Sequence, residues 1–185
     1  MIEPERPGPG AQIHDTDPFA TPESRRNPVR RLRGRLPAAV TLWTATDPGG
    51  GPAGLTVSST LIVDGDPARV LGLLDPDSDL LAAAEAAGRF AVAALGTADR
   101  QLADRFAGLL PAPGGLFAGD GWRQTPYGPV PAGAVTWAGC RLDATRPLGW
   151  GSLVEGTVEH IDIGAGGTGG PLVHFRGRYR DLADR

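Results

Sequence analysis

The 185-residue sequence predicts a mainly β protein, a closed antiparallel barrel with two or three short helices inserted midway. Three observations carry that expectation. Six or more short runs are rich in β-branched, aromatic or alternating apolar residues. Clusters of Gly, Pro and Asp separate them at hairpin spacing. Two helical segments lie in the middle of the chain, the first alanine-rich, and each is closed by a glycine.

Residues 1–24 are rich in Pro and Gly and read as a disordered tail, leaving residues 25–185 as one domain. The segment 25–35 carries six arginines. Its simplest reading is a solvated short helix or arm; a subunit contact or a phosphate site is the alternative. Ala39-Val40-Thr41-Leu42-Trp43-Thr44-Ala45 is a strand, and Asp47-Pro48-Gly49-Gly50-Gly51-Pro52 turns the chain. The return arm is Gly54-Leu55-Thr56-Val57-Ser58-Ser59, which ends in a hydroxyl-lined bend. Such a bend offers N–H groups and hydroxyls to a planar heterocycle or a phosphate. An ordinary strand end with solvated hydroxyls is the competing reading.

Residues 61–63 continue in extended form to a turn at Asp64-Gly65-Asp66-Pro67, and residues 68–74 form a nearly continuous apolar, buried strand. Asp75-Pro76-Asp77-Ser78-Asp79 signals a helix start, with the helix at 80–87 and Gly88 as its stop. Residues 89–95 are the next strand. Thr97 is placed to cap a second helix, from 98 to about 107, with Leu102 and Phe106 on its inward face and Gly108 as its stop. Residues 109–133 form a long Gly- and Pro-rich loop of the kind that serves as a lid or binding loop, or is disordered. Strands are expected at 134–142, 152–163 and 171–179, with a turn at 164–170.

Composition bounds the chemistry. The chain is 41% hydrophobic and 21% charged, sufficient for a real core. Its net charge of −3 offers no global field for nucleic acid. Cys140 is the only cysteine, which excludes an intrachain disulfide and a multi-cysteine metal site. No run is apolar and long enough to span a bilayer and no signal-peptide pattern is present, so a cytoplasmic protein is expected. Lysine is absent; all 18 basic residues are arginines. Schiff-base and Walker-type lysine chemistry is thereby excluded, and an anion must be held by arginine, hydroxyls and backbone N–H groups.

Gly164-Ala165-Gly166-Gly167-Thr168-Gly169 matches a dinucleotide fingerprint, but Pro171 and a strand follow where that fingerprint needs a helix. A hairpin loop is the better reading. His14, His160 and His174 lack metal-ligand spacing, although His160 and His174 flank one hairpin and could face each other. No Gly-x-Ser-x-Gly elbow supports a serine hydrolase. Trp43, Trp122, Trp137 and Trp150 are expected in the core or an interface rather than as a base-stacking platform.

The order of these motifs resembles the flavin reductase-like family. Gly54-Leu55-Thr56-Val57-Ser58-Ser59 is followed by Asp66-Pro67, a buried strand and Ser78; then come Gly88-Arg89-Phe90-Ala91-Val92, Arg105-Phe106-Ala107-Gly108 and a closing run from Pro171 to Tyr179. The resemblance, covering about 36–182, implies an FMN-binding split β-barrel and a homodimer with flavin near its interface. It assigns Thr56, Val57, Ser58 and Ser59 to the flavin ring and phosphate. Leu73, Leu74 and Ser78 would lie along the ring and phosphate tail, with Arg105, Phe106 and Tyr179 in further family motifs. Three positions depart from the family pattern. Gly151 stands where a histidine is common, Ala93 where an asparagine is, and Asp79 where a polar or basic residue is.

The activity that the resemblance implies is hydride transfer from NADH or NADPH to FMN or FAD, with a separate monooxygenase as a recipient of the reduced flavin. The catalytic residues stay unassigned. Two alternatives use the same barrel: a flavin-binding module without efficient nicotinamide chemistry, favoured by Gly151, and an oxidoreductase using another cofactor such as a deazaflavin or haem.

Overall fold

The computed structural model describes residues 27–164 and 170–182. The expected boundary between tail and domain at residues 24 and 25 falls outside the described residues, as do positions 165–169 of the glycine run. Helix α1 (Pro28–Gly34) is the short arginine-bearing helix, capped by Asn27, whose Oδ1 accepts from the Val29 N–H at 2.8 Å. It buries no residue, as its charge pattern requires. Strands β1 (Ala38–Ala39) and β2 (Thr41–Thr46) lead into the glycine turn, where the Asp47 carboxylate accepts from the Gly51 N–H. The chain returns as β3 (Pro52–Val57), leaves the sheet, and re-enters as β4 (Leu61–Val63) and β5 (Arg69–Leu74).

Helix α2 (Asp79–Ala87) is capped by Ser78 Oγ, which accepts from the Leu81 N–H, and ends at Gly88 with φ +67°. Strand β6 (Arg89–Ala94) follows. A short 3₁₀ turn, Thr97–Asp99, precedes α3 (Arg100–Phe106). Thr97 is not the cap: the Asp99 carboxylate accepts from the Gly96 N–H at 2.8 Å. Two-residue strands β7 (Trp122–Arg123) and β8 (Val130–Pro131) lie in the long loop, then β9 (Thr136–Leu148) and β10 (Gly151–Ile163) form a long hairpin. The closing run is two strands rather than one, β11 (Leu172–Phe175) and β12 (Arg178–Asp181). Arg176 and Gly177, with φ +52° and +75°, make the turn between them.

Seven strands form one antiparallel sheet in the order β3-β2-β6-β9-β10-β5-β4, and β1-β11-β12 form a second. Among the described residues the ladder does not close, so the expectation of a closed barrel is corrected: β3 and β4 are its opposite edges, although only residues 58–60 separate them in the chain. The barrel is split at that point.

The main core lies inside the curved sheet and under α2, with Trp43 stacked on Phe90 at a 4.8 Å centroid distance and 7° between planes. Gly72 permits the indole to lie against β5, because a Cβ there would stand 2.5 Å from Trp43 Cη2. A second cluster gathers Val40, Leu42, Ala103, Phe106 and Leu172 between α3 and the small sheet. The long loop is docked rather than free. Phe117 and Trp122 pack edge-on against Phe106, and Thr44 Oγ1 donates to the Pro129 carbonyl at 2.7 Å. His160 and His174 lie in different sheets with different partners. His160 packs at a tilt against Trp137, with ring centroids 4.5 Å apart, and His174 packs against Tyr179. Burial, with the Arg33 charge nearby, lowers the His174 pKa and keeps its imidazole neutral at pH 7. Among the described residues no helix is long and apolar enough to cross a membrane.

Candidate functional site

The bend between β3 and β4 is the most distinctive polar feature near a sheet edge. The β2–β3 ladder ends at the Thr41–Val57 pair, and beyond it the N–H groups of Ser58, Ser59 and Thr60 leave the sheet. The Ser58 side chain is exposed. Ser59 Oγ donates to the Leu73 carbonyl at 2.9 Å and accepts from the Leu73 N–H at 3.1 Å. One hydroxyl thus satisfies both backbone groups of a residue at the end of β5 and bridges the split. Thr60 Oγ1 lies 2.8 Å from Thr41 Oγ1 and accepts from the Trp43 indole N–H at 3.0 Å, anchoring the bend to the core.

These contacts sort the residues singled out from the sequence. Ser59 and Leu73 meet at the split, with Ser58 and Leu74 as their chain neighbours, whereas Ser78 is bonded within the turn that follows β5. Leu73 points outward and is half-exposed, whereas Leu74 is buried. Ser78 Oγ caps α2 and donates to the Asp75 carbonyl at 2.7 Å. Val57 is buried, and its carbonyl accepts from Thr41 Oγ1.

Thr56, Arg105, Phe106 and Tyr179 form a separate group around α3. Thr56 Oγ1 donates to the Ala103 carbonyl at 2.8 Å and ties β3 to that helix. The Phe106 ring is 2% exposed and lies against Gly54, where a Cβ would stand 2.7 Å from its Cε1. Arg105 is exposed, with its Nε donating back to Gln101 at 3.4 Å. Burial and a hydrogen bond to Asp104 push Tyr179 up to about 12, so its hydroxyl stays a donor across the neutral range.

Two open grooves of about 400 and 380 Å³ run side by side over Pro52, Ala53 and Asp79, toward residues 114–118 in one direction and Asp47 in the other. Neither is lined by any of the ten residues singled out from the sequence. The polar chemistry of the split lies on an open surface of the single chain, not in these hollows.

Sequence reasoning missed the charged lattice on the outer face of β5, β10 and β9. Asp143, 14% exposed, pairs with Arg69 and with Arg141 (2.6 Å), and accepts from Thr157 Oγ1 at 2.6 Å. Arg141 also reaches Glu159 at 3.3 Å, and Arg69 reaches Glu155 at 3.6 Å. The alternation of Arg141 and Asp143 was a visible hint of a shared strand face. The pairing with Arg69 depends on the sheet order and had no signal in the sequence.

The three departures from the family pattern have distinct surroundings. Asp79 is exposed in the first turn of α2, where a carboxylate favours the helix N-terminus. Ala93 is buried, opposite Leu42 and Trp137. Gly151 is buried at the tip of the β9–β10 hairpin. A Cβ there would meet the Leu74 carbonyl oxygen and Leu73 Cγ, both at 2.9 Å.

A family model described as the flavin reductase like domain matches residues 33–183. The chain belongs to the flavin reductase-like family. It is 33% identical over 163 residues to an FMN reductase (NADH), RutF, of Ancylobacter novellus, with 88% of each chain covered. It is also 33% identical over 186 residues to an NADH-dependent FMN reductase, AsuE2, of Streptomyces nodosus subsp. asukaensis, covering 92% of this chain and 91% of that protein. Among solved structures, nitrilotriacetate monooxygenase component B from Mycobacterium thermoresistibile superposes with a TM-score of 0.75 at 28% identity, covering 84% and 85% of the two chains. The split architecture expected from the family resemblance is the architecture of this chain.

Proposed function

We propose that this protein is an NADH- or NADPH-dependent flavin reductase that binds FMN or FAD along the split, as a homodimer. The observation that carries the proposal is the bend at residues 58–60, locked to Leu73 through Ser59, on a chain of this family. The residues present fit a flavin in a specific way. Ser58 brings an exposed hydroxyl, the bend brings N–H groups that have left the ladder, and Leu73 brings a half-exposed apolar surface for a ring.

Bound flavin would accept a hydride from the nicotinamide and pass the electrons onward. The protein's part is orientation. Ser59 holds the backbone of Leu73 at a set distance from the bend, and Ser78 fixes the start of α2 beside it. Thr60 and Thr41 hold the bend against the core, so its N–H groups point in fixed directions when charge develops on a bound ring. The acceptor we favour is a separate monooxygenase, since component B of a monooxygenase shares this fold. The cytoplasm, which supplies reduced nicotinamide nucleotides, is the fitting compartment.

Support for a homodimer comes from the sheet edge. All three residues of β4, Leu61, Ile62 and Val63, are exposed, and among the described residues the far edge of β4 has no partner strand. Leu73 and Leu148 extend the apolar surface across β5 and β9. A flat apolar edge left in water is an association site, and a second copy of the chain, covering the same patch, would enclose the split beside it. Ile62→Arg should shift the protein from dimer to monomer in sedimentation velocity and weaken flavin binding in parallel. A dimer that survives this charge places the interface elsewhere.

The activity is tested by anaerobic titration with NADH and NADPH in the presence of FMN, following the flavin absorption band. Rapid bleaching is the expected result, and the faster nucleotide names the donor. A band that persists against both nucleotides but disappears with dithionite would favour the flavin-carrying module, with Gly151 as the feature that sets it apart from its family.

A further inference from the structure

Trp150 stands apart from the other described aromatic residues. It is 70% exposed, whereas each other Phe, Tyr and Trp among the described residues is buried or half-buried. Exposing an indole this fully forgoes the burial that makes tryptophan favourable in a core. Its mounting is a tight turn. Leu148 and Gly151 are paired, leaving Gly149 and Trp150 as a two-residue turn. Gly149, at φ +61°, occupies the position that this hairpin turn reserves for glycine.

The tip of that hairpin lies against the split. Gly151, the next residue, touches Leu73 so closely that a Cβ would collide with both Leu73 and the Leu74 carbonyl. Leu73 is the residue whose backbone Ser59 holds. The turn that carries Trp150 is therefore joined to the bend through Gly151 and Leu73. The side-chain-free Gly151 brings the hairpin tip, on which Trp150 is mounted, close to β5. Exposure, a fixed turn and adjacency to the bend together describe an aromatic surface held ready for a planar partner.

We infer that Trp150 is a positioning residue that stacks on the isoalloxazine ring of the flavin bound at the split. This rests on the flavin-reductase reading above. A tryptophan face offers a broad, weakly directional contact to a heteroaromatic ring, of the kind that single-stranded nucleic-acid binders use for bases. It also leaves a spectroscopic mark, because an electron-rich indole in contact with an excited flavin quenches its emission.

The experiment is a titration of FMN into the full-length protein and into Trp150→Leu and Trp150→Phe, following flavin emission and, by ultrafiltration, bound flavin. Sedimentation velocity is run on each. The parent protein should quench bound FMN strongly. Trp150→Leu should restore emission several-fold per bound flavin and raise the Kd about tenfold, the effect of losing one aromatic stack. Trp150→Phe should recover much of the affinity without recovering the quenching. Unchanged emission and affinity in Trp150→Leu, with FMN still bound, overturns this inference alone. Loss of the dimer in Trp150→Leu, with emission per bound flavin unaltered, also overturns it and makes Trp150 an interface residue. If the parent binds neither FMN nor FAD, the flavin reading falls and this inference with it.

Discussion

Phe106→Ala lowers the unfolding free energy by about 3–5 kcal/mol, the range for truncating a fully buried aromatic ring. The ring sits between Gly54 on β3 and the Phe117 and Trp122 rings of the long loop, at centroid distances of 5.0 and 5.5 Å. Removing it opens a cavity where β3, α3 and that loop meet, and the edge-to-face contacts go with it. Urea denaturation should show a lower midpoint with an unchanged slope. The family resemblance sets Phe106 beside the flavin, yet a ring 2% exposed acts through packing. Flavin affinity of the folded fraction should therefore change much less than stability does. The opposite pattern, large loss of affinity with stability moved only as far as a surface substitution moves it, would show that the ring reaches the ligand.

Gly151→His does not restore a missing imidazole; it displaces the hairpin. The new Cβ would stand 2.9 Å from the backbone oxygen of Leu74, and backbone yields far less readily than a side chain. Overpacking of this kind costs about 1–3 kcal/mol. The cost falls on the β5–β10 ladder next to the Ser59–Leu73 contact. The expected outcome is a lower melting temperature, weaker FMN binding and no gain in NADH oxidation. A substantial gain at unchanged stability would mean that the hairpin tip has slack and that the histidine alone was wanting.

The parts of this molecule legible in its sequence are those decided locally. The glycine turn at 47–52, the Ser78 cap and Gly88 stop of α2, and the alternation of the long strands rest on residue types that act on their immediate neighbours. The final hairpin was missed because Leu172, Val173 and Phe175 read on into Tyr179 as one run, and a single Gly177 is a weak signal beside them. The docking of the long loop was hidden for a different reason. Phe117 and Trp122 gain meaning only when Phe106 is brought to them by the fold. The family pattern named Ser58, Ser59, Leu73 and Ser78 from their order in the chain, and of these the fold joins Ser59 to Leu73. That Ser59 works first as a brace, and that Thr56 is bonded to α3, could be seen only in three dimensions.

The sheet order also has a consequence for how the chain is born on the ribosome. Strand β5 pairs with β4 within a few residues, but its other edge waits for β10, about 80 residues later. At ordinary synthesis rates that wait is on the order of 4–16 s. Throughout it Val70 and Leu74, both destined for the core, lack their partners on that second edge, Gly156 and Ser152 of β10. Helix α2 emerges soon after β5 and brings Leu80 and Leu81 to the same core, a provisional cover. The long β9–β10 hairpin then completes the sheet in a late step, joining β6 on one side and β5 on the other. Nascent chains halted before residue 151 should accordingly recruit holding chaperones, and release from them should coincide with emergence of the second arm of that hairpin.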